Sequence, residues 1–547
     1  MLVAIVTRAG TAGLGRATGV LALGSAVSRA TGFLRTAALA AAIGFGLVGD
    51  AYNTANLLPT LIYELLLGGL LSSVVVPLLV HARRRDADGG DAYTQRLLTL
   101  IVVGVTAVTA LAVLAAPALT WLYGIRDDPA QVALTTLLTR IMLLEIVFYA
   151  LYGALGAVLN SRGVFGPPAW SPVLNNLVVI GTCVAFVLLS GAGELTPAGM
   201  PAGGAWLLGI GTTVGIAAQA VVLLPALRRV GLRWRWRFDW RGAGLAEAGR
   251  LGAWVLVDAA ISQAGYLVIT SAANTAGRAS GVGSTVYTNA HLLLQMPYGI
   301  IGVALLTALL PRMSRAAAAG DTAGLLADLS LGSRLTAVAL VPVTAALIVL
   351  GPALSTVVFA RGAVSPASAR TVGTVLAVSA FGLVPMAIGT LQRQVCYALR
   401  DARTPAGINA AMAAVLVPAC LLVPRLLAPG RVVAGLAVAY GGVQLVGLVL
   451  GQLWLRHRFG PLGFGRVGRT VGRLVLVSGA GAGTGWAAVA AVTAVAGRGV
   501  PGSLAALLAG TAAGLVGGWL AGRVVHVPEV RAMSGLVRAR LADRHAR

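Results

Sequence analysis

Long apolar runs, separated by short clusters of arginine, glycine and proline, set the pattern of this chain. A helix needs about 20 apolar residues to cross a bilayer. Fourteen runs reach that length, at roughly 17–45, 51–80, 97–123, 132–160, 170–191, 203–227, 246–277, 284–311, 333–359, 370–398, 405–427, 432–455, 471–496 and 502–524. The pattern predicts an all-α polytopic membrane protein of about fourteen transmembrane helices, with little chain left for a soluble domain.

The polar positions inside those runs carry the information. The first run holds Arg29 and Arg35, and the second holds Asn53, Asn56 and Glu64, with Asp50 between the two. An arginine at mid-membrane costs about 2.5–3.5 kcal/mol on insertion scales, so charges kept there point to use. At about 100° per residue, Ser25, Ser28, Arg29, Gly32, Arg35 and Thr36 share one side of the first helix. Asn53, Asn56, Thr60 and Glu64 form a stripe on the second. Asp258, Ser262 and Gly265 align in the seventh, and Thr288, His291, Gln295, Gly299 and Gly302 in the eighth. Polar stripes in the first two helices of each half imply a water-filled, cationic cavity shared between the halves.

The halves themselves come from an internal repeat. YNTANLLP in the second run answers YTNAHLLLQMP in the eighth, and LNSRGVFGPP after the fourth answers LRDARTP after the tenth. The pairs Pro59/Pro297 and Pro167/Pro405 are both 238 residues apart, and Pro77/Pro311 are 234 apart. Six spans per repeat is an even number, so both halves share one orientation, as in transporters built from parallel repeats. The expected organisation is an N-terminal lobe at 1–228, an amphipathic linker at 229–245, a C-terminal lobe at 246–456, two further helices within 457–524 and a basic tail at 525–547.

Composition agrees: 58% of residues are hydrophobic and 11% charged, against about 25% charged in soluble domains. All 41 basic residues are arginine, giving a net charge of +24. They cluster in alternate connections, at Arg83–Arg85, Arg228–Arg250 and Arg456–Arg473 for example, whereas the other connections hold single arginines such as Arg126 and Arg361. That asymmetry places both termini in the cytoplasm and explains the charge by topology, without nucleic acid. In the run from Leu227 to Gly244, Trp234, Trp236 and Trp240 alternate with arginines, as in an interfacial segment facing anionic lipid headgroups. No cleavable signal peptide is evident.

No enzyme constellation is present, and no phosphate-binding loop that would make this an ATP-driven pump. Cys183, Cys396 and Cys420 sit singly in apolar runs, with neither disulfide nor metal spacing. His291 has no second ligand nearby in sequence, so neither metal nor cofactor is expected. A secondary transporter fits, and intramembrane arginines favour an anionic substrate, since guanidinium pairs bidentately with phosphate or carboxylate. For each residue a structural role stands beside the functional one. Arg29 reads as a substrate contact, a snorkelling residue or a partner of Glu64; Asp50, Asp258 and His291 read as structural or coupling residues; Glu145 reads as a structural hydrogen-bonding group.

The pieces SRATGFLR (Ser28–Arg35), GDAYNTANLLP (Gly49–Pro59), GAVLNSRGVFGPPAWSPVLNN (Gly156–Asn176), LLLQMPYGIIGVALLTALLPRMSR (Leu292–Arg315) and CYALRDARTP (Cys396–Pro405) resemble, in order, the MurJ/MviN family of lipid II flippases in the MOP exporter superfamily. The LLLQMPYG form is similar to the actinobacterial branch. The resemblance implies two six-helix lobes, two C-terminal helices forming a groove for a lipid tail, and export of a polyprenyl-pyrophosphate-linked peptidoglycan precursor to the outer leaflet of the cytoplasmic membrane. It implies a pyrophosphate for Arg29 and Arg35, and it matches Asp50 to the family's acidic residue between the first two helices. Partners implied are lipid II, membrane lipids and cell-wall synthesis proteins. The chain departs from the proteobacterial form at Thr36, Leu57, Tyr63, Glu64, Leu292 and Gln295, where that form carries charged residues. The alternatives are export of another polyprenyl-linked glycan or of a drug, or a non-transporting scaffold for cell-wall enzymes.

Overall fold

The computed structural model describes residues 12–65, 79, 88, 90–191, 193, 195–232, 234–239, 245–399, 401–460 and 465–525. Among them every regular element is helical. The first unit's helices are α1 (Ala12–Ile43), α2 (Leu47–Leu65), α3 (Asp91–Leu114), α4 (Ala116–Leu122), α5 (Pro129–Met142), α6 (Glu145–Ser161), α7 (Gly166–Ser190), α8 (Ala202–Val221), α9 (Leu224–Arg229) and α10 (Leu245–Ser280). Then follow α11 (Ser284–Ala318), α12 (Thr322–Phe359), α13 (Pro366–Ser379), α14 (Leu383–Ala398), α15 (Arg403–Leu426), α16 (Pro429–Phe459), α17 (Gly465–Ala496) and α18 (Val500–Val524). Twelve of the resulting spans are long and apolar enough to cross a membrane among the described residues, and α1 and α2 precede them. Among the described residues the twelve spans match the third to fourteenth expected segments, α1 matches the first, and α2 covers the second as far as Leu65. Most are longer than the apolar runs, because polar caps such as Asp128, Asp321 and Ser365 start them earlier.

Packing divides the chain into two units. One comprises Met1–Thr285 with Arg361–Val364 and Ala428–Gly430; the other comprises Val286–Ala360, Ser365–Leu427 and Arg431–Arg547. α10 thus packs with the first unit, whereas the sequence repeat is counted from its start; the two divisions describe different properties.

In the first unit, α1 seats on α7 through Gly24, Ser28 and Gly32, small residues four apart that let two helices approach closely. A β-carbon on Gly24 would lie 2.9 Å from Trp170 Nε1. Asn176 of α7 fixes the register, its amide donating to Ser28 O at 3.2 Å and to Thr31 Oγ1 at 3.0 Å. Pro172 lacks the N–H that would bond the carbonyl four residues back; that carbonyl, Pro168 O, instead accepts from the Tyr152 hydroxyl at 3.0 Å. α1 stops at Gly44, whose φ of 72° is left-handed. The Ala41 carbonyl near that end accepts from Ala363 N at 2.8 Å.

Two spans tighten in mid-course. Span four passes through a tightened turn at Leu143–Leu144 between α5 and α6, both residues keeping right-handed helical dihedrals, and span ten through a 3₁₀ turn at Ala380–Gly382 between α13 and α14. These turns recur at the repeat offset of about 238 residues, so the pseudo-repeat extends to an irregularity that no proline or glycine signal in span four announces. The third expected span is also divided, at Ala115, just ahead of Pro117.

In the second unit, α12 packs against α13, α14, α17 and α18. α17 and α18 cross on glycines: a β-carbon on Gly481 would lie 2.6 Å from Gly514 O, and one on Gly485 3.0 Å from Gly510 O. In the connection after α9, Leu232 and residues 234–239 are not helical. They dock along α3, where Arg237 N donates to Thr99 Oγ1 at 3.1 Å, Arg237 Nε to Gln95 Oε1 at 3.1 Å and Arg96 Nε to Asp239 Oδ2 at 2.7 Å. Trp236 and Phe238 remain exposed, and Trp240 lies outside the described residues.

Candidate functional site

On α2 the polar stripe is the less buried face. Ala51, Tyr52, Thr54, Ala55, Leu57, Leu58 and Pro59 are buried, whereas Asn53, Asn56 and Thr60 are half-buried. Asn53 donates to Ser284 Oγ at 3.3 Å. Glu64 lies on the same helix, but its side chain is outside the described residues.

Asp50, in the first turn of α2, is 1% exposed. Its Oδ1 accepts from Thr285 N at 2.8 Å, Thr285 Oγ1 at 2.8 Å and Ser284 Oγ at 3.3 Å. The carboxylate therefore serves the positive ends of two helices, its own α2 and α11. Gly277 and Gly283 make space for it: a β-carbon on Gly283 would lie 1.8 Å from Asp50 Oδ2. Of the two roles that sequence left open for Asp50, this geometry supports the structural one.

The two arginines of α1 have different surroundings. Seating the Gly24–Ser28–Gly32 face on α7 leaves Arg29 exposed. Arg35 is half-buried, with its Nε buried and without a hydrogen-bond partner among the described residues. It lies within electrostatic reach of Glu145 on α6, Tyr52 on α2 and Cys183 on α7. Glu145 is completely buried; its Oε1 accepts weakly from Thr213 Oγ1 at 3.5 Å, and Oε2 has no hydrogen-bond partner among the described residues. Tyr52 shares a 2.8 Å hydrogen bond with Thr212 Oγ1. The first unit thus encloses a polar centre of one cation, one carboxyl and several hydroxyls.

Glu145 is the lone acid of a long apolar run, and periodicity within a run does not reveal which other helix such a residue meets. Asp258 is half-buried on α10, where the Ser262 hydroxyl donates to its backbone carbonyl at 3.1 Å.

In the second unit, His291 and Gln295 pair one turn apart on α11. The His291 Nε2 to Gln295 Nε2 separation is 2.5 Å. The His291 ring stacks on Tyr287, centroids 5.9 Å apart, and meets Tyr440 edge-on at 5.1 Å. Among the described residues no group of three or more His, Cys, Asp or Glu side chains is placed to hold a metal ion.

An all-helical, multi-span chain with polar groups inside its bundles is a polytopic membrane fold. Solved structures agree on the fold: "Lipid II flippase MurJ, inward closed conformation" superposes with a TM-score of 0.72 at 17% identity, covering 92% of this chain and 98% of that one. The inward-facing form of a multidrug resistance MATE family transporter of the MOP superfamily superposes with a TM-score of 0.64 at 15% identity, over 79% of this chain and 94% of that one. The family model "Lipid II flippase MurJ" matches residues 39–510, and the chain belongs to that family. Among its relatives, the probable lipid II flippase MurJ of Rhizobium meliloti (strain 1021) is 28% identical over 449 residues, 79% of each chain. The lipid II flippase MurJ of Burkholderia cenocepacia is 29% identical over 394 residues, 70% of this chain and 73% of that one.

Proposed function

We propose that this protein moves lipid II, a polyprenyl-pyrophosphate-linked peptidoglycan precursor, from the inner to the outer leaflet of the cytoplasmic membrane by alternating access of its two lobes. The match of the lipid II flippase MurJ family over residues 39–510 carries this reading. It is a transport function, with no bond made or broken in the substrate. The LLLQMPYG form supports a place in the actinobacterial branch, and the lobes are those of the repeat, 1–228 and 246–456, with both termini cytoplasmic.

Arg29 and Arg35 lie ahead of the matched residues, so their role rests on α1 itself. Arg29, exposed on a helix whose other side is fixed against α7, is the residue available to a pyrophosphate; Arg35, a turn and a half further on, is held in the polar centre. Asn53 and Asn56 offer amides to the headgroup from the open face of α2, and Glu64 and Gln295 complete the substrate-binding set. Membrane lipids surround the spans, and cell-wall synthesis proteins are the partners such a flux requires.

Depleting the protein in its host and measuring lipid II in each leaflet of spheroplasts tests the function. Lipid II accumulates in the inner leaflet; an unchanged distribution, with no second flippase present, overturns the reading. Arg29→Ala lowers the rate about ten- to a hundredfold, the worth of one charge-assisted hydrogen bond of roughly 1.5–3 kcal/mol. A scaffold would tolerate that change. Native mass spectrometry of the purified protein, which separates lipid II from other polyprenyl-linked glycans, fixes the substrate.

A further inference from the structure

Within the second unit, α14 and α16 leave a narrow cleft, open on one side, where they meet beside α15. Gly389, Gln392 and Arg393 line it from α14, and Gly447, Gly451 and Trp454 from α16. Gly389 is buried, yet a β-carbon there would meet nothing within 4 Å, so the space is unfilled. On α16 smallness is required instead: a β-carbon on Gly451 would collide with Gln392 Oε1, and one on Gly447 with Met412 Sδ.

The polar groups of the cleft are incompletely met. Gln392 is 2% exposed; its Nε2 donates to Gln452 Oε1 at 3.2 Å, and its own Oε1 is buried without a hydrogen-bond partner among the described residues. A buried acceptor left unmet is costly. Beside it, Arg393 is half-buried. Its Nη2 donates to Thr390 Oγ1 at 2.9 Å, and it has no acidic partner among the described residues. Asp401, eight residues on, is committed to the start of α15. It accepts from Arg403 N and Thr404 N at 3.0 Å each and from Thr404 Oγ1 at 2.7 Å, and it pairs with Arg458 at 3.8 Å.

Packing does not call for these groups. At the repeat offset of 238, the positions of Gly389, Gln392 and Arg393 correspond to Leu151, Ala154 and Leu155, all members of or packed against one apolar cluster. Depth points to the membrane interface. Arg393 precedes Ala398, the end of α14, by five residues or about 7.5 Å. Trp454 stands equally far from the end of α16, and both ends lie on the arginine-rich, cytoplasmic side. Tryptophan is enriched at headgroup level. Snorkelling would account for the arginine, but not for the buried, unmet amide oxygen next to it.

We propose that this cleft binds the glycerol-phosphate headgroup of an anionic phospholipid from the cytoplasmic leaflet. The phosphate accepts from Arg393, and a glycerol hydroxyl enters the narrow part and donates to Gln392 Oε1. Inorganic phosphate meets only the first group. An ethanolamine headgroup offers a donor but no net charge to balance Arg393. None of the substrate-binding residues named above takes part, so the site stands independently of the lipid-translocation reading.

The test is native mass spectrometry of the delipidated full-length protein, titrated separately with phosphatidylglycerol, phosphatidylethanolamine, a polyprenyl phosphate and inorganic phosphate. Phosphatidylglycerol should bind about tenfold more tightly than each of the others, and Arg393→Gln and Gln392→Leu should each remove most of that preference. Equal retention of all the lipids, preference for the polyprenyl phosphate or for inorganic phosphate, or unchanged selectivity in Arg393→Gln overturns the proposal. Gly389→Ala guards against misfolding, since its methyl has room. Without lipid it should melt no lower than the wild type, and it should lose the rise in melting temperature that phosphatidylglycerol gives the wild type. A lower melting temperature without lipid would mean that the space is absent, and a full wild-type response would mean that the lipid binds elsewhere; either result also overturns the proposal.

Discussion

At the scale of residues, the most constrained group is Asp50. One carboxylate oxygen serves a backbone amide and two hydroxyls at the start of α11. Asp50→Ala leaves those buried donors unmet, at about 1–3 kcal/mol for each group that finds no water. A marked fall in melting temperature in detergent is expected, with Asp50→Asn losing less because an acceptor oxygen remains. Gly283→Ala should be as damaging as Asp50→Ala, since its methyl would occupy the place of Oδ2. If Gly283→Ala melts like the wild type, this packing is wrong. That Asp50 matters was implied by the resemblance of GDAYNTANLLP to the family pattern. Its partners were not, because Ser284 and Thr285 lie more than 230 residues away and carry no pattern linking them to it.

At the scale of elements, α1 depends on α7 for its orientation. Sequence put Arg29 and Arg35 on one side of α1, and the angular spread of that side, about 120°, is wide enough for the two to face different surroundings. The small-residue stripe Gly24–Ser28–Gly32 and the Asn176 amide decide which is which. Asn176→Leu removes two hydrogen bonds, worth about 1 kcal/mol each. It should reduce translocation several-fold while leaving a folded protein; an unaltered rate would show that α1 is oriented by something else. The docked segment 234–239 offers a pH test outside the membrane. The Arg96 hydrogen bond holds the Asp239 carboxyl below the usual carboxylate range, against a smaller opposing effect of burial. A depressed acid stabilises the docked form above its unfolded pKa, and that contribution is lost as pH falls through the lower folded value. Hydrogen-exchange protection of the segment, corrected for intrinsic rates, should therefore fall in strong acid. Asp239→Asn should show the weaker protection already at neutral pH.

At the scale of the whole molecule, the repeat is the main organising fact, and it survives at the level of tightened turns as well as prolines. Its exceptions are informative: Glu145 against Leu383 is a difference in charge at one backbone position. The α17–α18 pair has its own constraint. Gly481→Leu would drive a side chain into the Gly514 carbonyl and force the helices apart. Overpacking of this kind costs about 1–3 kcal/mol, so a cysteine pair engineered across this crossing should cross-link more slowly in that variant. Equal cross-linking would mean that the close approach is absent.

The number of helices, their approximate ends, the repeat and the membrane setting followed from sequence alone, because the bilayer imposes a length and a polarity on every span. The sequence also marked the residues too costly to keep without purpose. Which of them meet was decided by tertiary structure. Helix faces are periodic but unlabelled, and only packing determines that Arg35 is half-buried, that Arg29 stays open, and that Asp50 accepts from Ser284 and Thr285 far along the chain. The physical reason is that hydrophobicity is non-directional, whereas the meeting of two buried polar groups requires one particular register between helices distant in sequence.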